Sequence, residues 1–158
     1  MKKVLIVLTA AAMPEKAIDY AVASAKAKGA GVIALFLLET ELSSEIFDKF
    51  TDIGFIGDKP SAELSESLMR EYRQRGYEQL GRVQIKAMEE GVDFEPLMEE
   101  GSFVQKALDA ISRYDVAEAV LFKRRERRFL DYFSRSLADE VKKRAHCLVQ
   151  VFTEGDNG

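Results

Sequence analysis

Residues 115–152 read DVAEAVLFKRRERRFLDYFSRSLADEVKKRAHCLVQVF, and the reading of this stretch decides the fold. An apolar run, a basic loop, an amphipathic segment and a second apolar run follow one another, the order of a strand, loop, helix, strand unit. In α/β proteins such a unit holds anions where a strand's end meets the N-terminus of the next helix. This loop has no glycine. Lys123, Arg124, Arg125, Arg127 and Arg128 stand where backbone amides would have to close around a phosphate.

Upstream of that stretch, Val104, Ala107, Leu108 and Ile111 form an apolar helical stripe, with Gly101-Ser102 read as its turn and N-cap. Val92, Phe94 and Leu97 alternate with acidic residues and predict an outer strand with one exposed face. A long helix is expected from Ser61 to about Glu90, weakened locally but not broken by Gly76 and Gly81. Residues 39–59 predict a short helix followed by a loop. Phe36, with Phe47, Phe50 and Phe55 of this segment, reads either as a cap on the core or as the lining of a pocket or partner surface.

At the front of the chain, residues 4–8 are continuously apolar, which suits a central parallel strand covered on both faces. Pro14 fits a first helical turn, and Ala17, Ile18, Ala21, Val22 and Ala25 recur at helical spacing until Gly29. Residues 32–38 repeat the buried-strand pattern, so a right-handed parallel crossover follows. The apolar start with Ala10, Ala11 and Ala12 is short for a signal peptide and is read as a strand leading into a helix. Ala119 to Phe122 and Cys147 to Phe152 supply the fourth and fifth strands, separated by a helix with a capping box at Ser136 and Asp139. The expected fold is single-domain α/β, a five-stranded parallel sheet flanked by helices on both faces, over residues 1–153 with a polar tail at 154–158.

The 158 residues fit one domain with a substantial core, and 47% hydrophobic content agrees. A net charge of -4 and a pI near 5.2 argue against a general nucleic-acid binder. The charge is uneven: 123–128 is basic, whereas 89–100 holds Glu89, Glu90, Asp93, Glu95, Glu99 and Glu100. The single Cys147 excludes an intrachain disulfide, and with the lone His146 it makes no zinc motif, so a cytoplasmic protein is expected. No apolar run approaches the ~20 residues of a membrane span.

With these residues in view, the chain resembles the universal stress proteins over nearly its full length, from KKVLIVLTAAAMPEKAIDYAVASAKAKGAGVIALFLLE to the closing SLADEVKKRAHCLVQVF. The resemblance implies a Rossmann-like, adenine nucleotide alpha hydrolase-like sheet of order 3-2-1-4-5 and a homodimer through the final strand, Leu148, Val149, Gln150, Val151 and Phe152. Nucleotide-binding members carry glycine, two residues, glycine, nine residues, then glycine and serine or threonine. The matching positions here are Phe122, Arg125, Arg135 and Ser136, of which only Ser136 agrees. The aspartate usual after strand one falls at or near Thr9. A Cβ and an arginine side chain fill the space a glycine leaves for phosphate, so no ATP cofactor is expected.

The basic loop reads either as a solvated charge run or as an anion site, in which arginine forks and the helix start at Ser136 hold ATP or another phosphate ligand beside Thr9. Single-stranded nucleic acid, stacked on Phe129, Tyr132 and Phe133, is the weaker variant. His146, Cys147 and Ser136 are read as a structural or surface histidine, an ordinary strand cysteine and a helix cap, without catalysis. The expectation is a dimeric, non-ATP-binding regulatory or stress-response protein. A nucleotide- or phosphate-responsive module using loop 123–128 is the alternative, and a weak ATP hydrolase the third.

Overall fold

A computed structural model describes residues 2–39, 62–123 and 137–153. The described elements run β1 (Lys3–Leu8), α1 (Glu15–Lys28), β2 (Gly31–Glu39), α2 (Ala62–Glu89), β3 (Phe94–Gly101), α3 (Phe103–Arg113), β4 (Val116–Lys123), α4 (Leu137–Arg144) and β5 (Leu148–Thr153). All strand pairs are parallel, and the order is β3-β2-β1-β4-β5.

The continuous apolar runs of β1 and β2 are explained by the two layers that cover them. Val4, Ile6, Leu8, Val32, Ala34 and Phe36 meet α1 and α2, while Leu5, Val7, Ile33, Leu35 and Leu37 meet α3 and α4. Ala17, Ile18, Ala21, Val22 and Ala25 all face the sheet, and α1 stops at Gly29 in the left-handed conformation, φ 62°. α2 is continuous through both glycines. Gly76 is there for packing: a Cβ at that position would stand 2.6 Å from Phe36 Cδ1.

Several local expectations need correction. Pro14 is the N-cap of α1 rather than part of its first turn, and its carbonyl accepts the Ala17 N–H at 3.0 Å. Ser102 caps α3 by position only; its side chain makes no cap hydrogen bond, and its carbonyl receives the Lys106 N–H at 2.9 Å. The buried face of α3 includes Phe103 and Ala110, whereas Val104 and Leu108 are partly buried. β4 begins at Val116, before Ala119, and β5 begins at Leu148, after Cys147. Phe36 belongs to the core, while Phe47, Phe50, Phe55, the Ser136 cap and the tail lie outside the described residues.

One irregularity matters for the chemistry. Lys3 pairs with Val116 but Val4 with Glu118, so β4 carries an extra residue, Ala117, against β1. The bulge breaks the two-residue alternation. Val116 faces α3, and Glu118 is turned to the opposite layer, under α1.

Candidate functional site at the carboxyl edge of the sheet

β1 continues through α1 to β2 on one side, and β4 through α4 to β5 on the other. The crevice beyond their carboxyl ends is the switch point where open α/β sheets bind ligands. Thr9 follows β1 there and Lys123 closes β4, each the same step beyond the paired Ile6 and Val120. These are the two residues of the expected anion site that the structure describes. Arg124, Arg125, Arg127, Arg128 and Ser136 lie outside the described residues.

Thr9 and Lys123 are both engaged within the chain. The Lys123 ammonium lies 2.9 Å from Asp139 Oδ2, in the first turn of α4. The aspartate also complements the helix N-terminus there, and the exposed pair contributes at most about 1 kcal/mol. The Thr9 carbonyl accepts a 2.5 Å hydrogen bond from Gln79 Nε2.

Gln79, only 5% exposed on the sheet-facing side of α2, bonds the β1–α1 connection at three points. Its Nε2 also donates to the Ala11 carbonyl at 2.9 Å, and its Oε1 accepts the Met13 N–H at 2.9 Å. Two carbonyl partners and one N–H fix which end of the amide is which. Three of the loop's backbone polar groups are therefore satisfied from inside the chain, and Met13 beside them is buried. This residue escaped the sequence reading. Its signal is a polar side chain on the same helical face as Gly76, Leu80 and Val83.

A second polar group was missed. Glu118 has 0% exposure and lies under α1. Tyr20 Oη donates to its Oε2 at 2.5 Å, Ser24 Oγ donates to its Oε1, and Lys28 Nζ stands 3.5 Å from Oε1 while donating to Ser24 Oγ at 3.2 Å. Burial pushes the Glu118 carboxyl up, but the Ser24 and Tyr20 hydrogen bonds and the Lys28 charge outweigh it and hold it below its ordinary value. The Tyr20 phenol is correspondingly pushed up to about 12, first by its bond to Glu118 and then by burial. The signal was the lone carboxylate inside the apolar run AEAVLF. These groups face one another rather than a cleft.

Leu148 to Phe152, the expected dimerisation strand, form an outer edge of the sheet. Leu148 is 59% exposed and Gln150 is exposed. The two edges differ in kind. β3 carries Glu95, Pro96, Glu99 and Glu100, devices that discourage strand addition, whereas β5 from Leu148 to Thr153 has neither a charge nor a proline.

A parallel, doubly wound sheet with its crevice between β1 and β4 defines the Rossmann-like class of α/β proteins. Within that class the chain belongs to the universal stress protein family, whose model matches residues 1–152. The fold is similar to that of a universal stress protein from Archaeoglobus fulgidus, at 14% identity and a TM-score of 0.64, covering 96% of this chain and 93% of the other. It is also similar to a universal stress protein in complex with cAMP, at 13% identity and TM-score 0.62, covering 96% of both chains. A family protein from Arabidopsis thaliana with AMP bound is 15% identical with TM-score 0.54, over 97% of this chain and 92% of the other. At these identities the likeness is one of fold. Among curated proteins none matches the chain significantly. No described helix is long and apolar enough to cross a membrane, and the described residues hold no group of three or more metal-ligating side chains.

Proposed function

We propose that this chain is a non-catalytic, cytoplasmic stress-response regulator that works as a β5-paired homodimer and does not hold ATP. Family membership supports the stress-response role. The observation that carries the nucleotide part is Gln79. Its amide takes up the backbone groups of Thr9, Ala11 and Met13 at the switch point, where a nucleotide would otherwise find hydrogen-bonding partners. Phe122, Arg125 and Arg135 stand at the positions where the family's nucleotide-binding members have glycine, which adds to the same reading. The uncharged β5 edge supports the dimer, because a row of unpaired backbone groups beside an exposed Leu148 favours pairing with a second copy.

Titration calorimetry of the full chain with Mg-ATP tests the nucleotide part. The expected result is no saturable heat at micromolar protein. One site per chain with a submicromolar dissociation constant overturns it, and so does a nucleotide retained through purification.

A second reading rests on relatives solved with cAMP and AMP. In it the basic loop 123–128 cradles a phosphate with side chains in place of glycine amides. Phosphate or polyphosphate then raises the melting temperature of the wild type but not of a variant with Arg124, Arg125, Arg127 and Arg128 changed to glutamine. Equal stabilisation of both chains removes this reading.

A further inference from the structure

At the opposite, amino end of the sheet, where α3 and α4 both finish, the surface holds a hollow of about 570 Å³. That volume lies within the range of small-molecule sites. Its floor is apolar: Leu108 and Ile111 come from α3, Val116 from the start of β4, and Ala145 and Cys147 from the turn into β5. Burial pushes the Cys147 thiol up, so the sulfur stays neutral and serves as apolar lining. Ser112, Asp115, Arg144 and His146, all exposed, stand on the rim.

The two charged rim groups are well placed. Asp115 takes the left-handed conformation, φ 52°, which aspartate tolerates better than most residues, and its carbonyl is anchored to β1 by the Lys3 N–H at 3.1 Å. Neither its carboxylate nor the Arg144 guanidinium is ion-paired among the described residues. The helix ends add a sign. α3 closes at Tyr114 and α4 at Arg144, so the partial negative charge of two helix C-termini is turned toward the hollow.

We propose that this hollow binds a small zwitterion with an apolar body, as an aliphatic α-amino acid presents. The ammonium lies beside Asp115 and the helix ends, the carboxylate lies on Arg144, and the side chain rests on Ile111 and Val116. A nucleotide's multiply charged phosphates would meet two helix C-termini and the Asp115 carboxylate with the Arg144 guanidinium to balance them, whereas a zwitterion brings one charge of each sign. A purely apolar molecule would leave the opposed charges unused. The site is independent of the nucleotide and dimer readings, since it is built from α3, the α4–β5 turn and the start of β4.

The test is an amide chemical-shift titration of the full chain with L-leucine, 4-methylpentanoate, which lacks the amine, and isopentylamine, which lacks the carboxylate. Leucine is expected to give saturable shifts at Ile111, Val116 and His146 with a dissociation constant of about 1 mM or tighter. Each half-molecule is expected to bind about tenfold more weakly, the worth of one charge-assisted contact. Arg144→Gln should weaken leucine without affecting isopentylamine, and Asp115→Asn should weaken leucine without affecting 4-methylpentanoate. Shifts that do not saturate, or wild-type protein that binds a half-molecule as tightly as leucine, overturn the proposal. The wild-type comparison decides the matter even if a variant fails to fold.

Discussion

Tyr20 and Glu118, ninety-eight residues apart in the chain, are joined by a 2.5 Å hydrogen bond from the phenol to a carboxylate that offers no surface to water. The same tyrosine ring packs on Phe152 of β5, with centroids 5.6 Å apart. One side chain of α1 thereby ties a buried charge to an edge strand. The pH dependence of stability should report it. Glu118 lies below its ordinary 4.5 when folded, so its contribution is complete above that value and is lost as pH falls through the folded value. Tyr20 is raised from 10.0 to about 12, so its contribution is complete below 10.0 and fades as pH climbs toward 12. Denaturant unfolding across pH should show both losses in the wild type. Glu118→Gln should weaken both losses, because Glu118 is the first cause of the Tyr20 shift, whereas Tyr20→Phe should remove the alkaline loss and leave part of the acid one through Ser24 and Lys28. At neutral pH Glu118→Ala should cost about 1–3 kcal/mol, because the Tyr20 and Ser24 hydroxyls lose their common partner while the exposed Lys28 ammonium stays hydrated.

The two glycines of α2 should respond to alanine with opposite signs. Gly81 has open space where a Cβ would go, so Gly81→Ala should stabilise the fold by about 0.5–1 kcal/mol through helix propensity. At Gly76 the new methyl meets Phe36 and Met98, and the resulting overpacking should cost about 1–3 kcal/mol. Thermal unfolding of the two single variants distinguishes them.

Gln79→Leu keeps a side chain of similar size but orphans the Met13 N–H and the carbonyls of Thr9 and Ala11. The expected loss is about 1–3 kcal/mol. Hydrogen exchange gives the sharper readout: the Met13 amide should lose protection while amides within β1 keep theirs.

Leu148→Lys combined with Gln150→Lys places two charges on the exposed side of the β5 edge. Sedimentation should shift from dimer to monomer at micromolar concentration. The melting temperature of the dilute protein should change little, since surface changes away from packed groups are usually within about 0.5 kcal/mol. A wild type that already sediments as a monomer removes the dimer from the proposed function.

The sheet was legible because its central strands, β1 and β2, are buried on both faces. Unbroken runs such as VLIVL, the helical spacing from Ala17 to Ala25 and the stop at Gly29 each carry a physical signal that survives without neighbours. Family resemblance added the strand order, now seen as β3-β2-β1-β4-β5. The polar interior was not legible. Gln79 and Glu118 acquire meaning from partners 66 and 98 residues away, and no local pattern announces such a pairing. Ser102 shows the converse: a favoured N-cap residue in the right place whose hydroxyl makes no cap bond.

The extra residue in β4 also bears on how this chain can tolerate changes of length. Losing one residue from a strand ordinarily inverts every side chain on one side of the cut, exchanging the two faces of the sheet. At Ala117 that rule is suspended. Without it, Val116 would precede Glu118 directly and each would keep the face it has now, one toward α3 and the other toward α1. Within β4, Ala117 is therefore the place where a deletion leaves both layers in register.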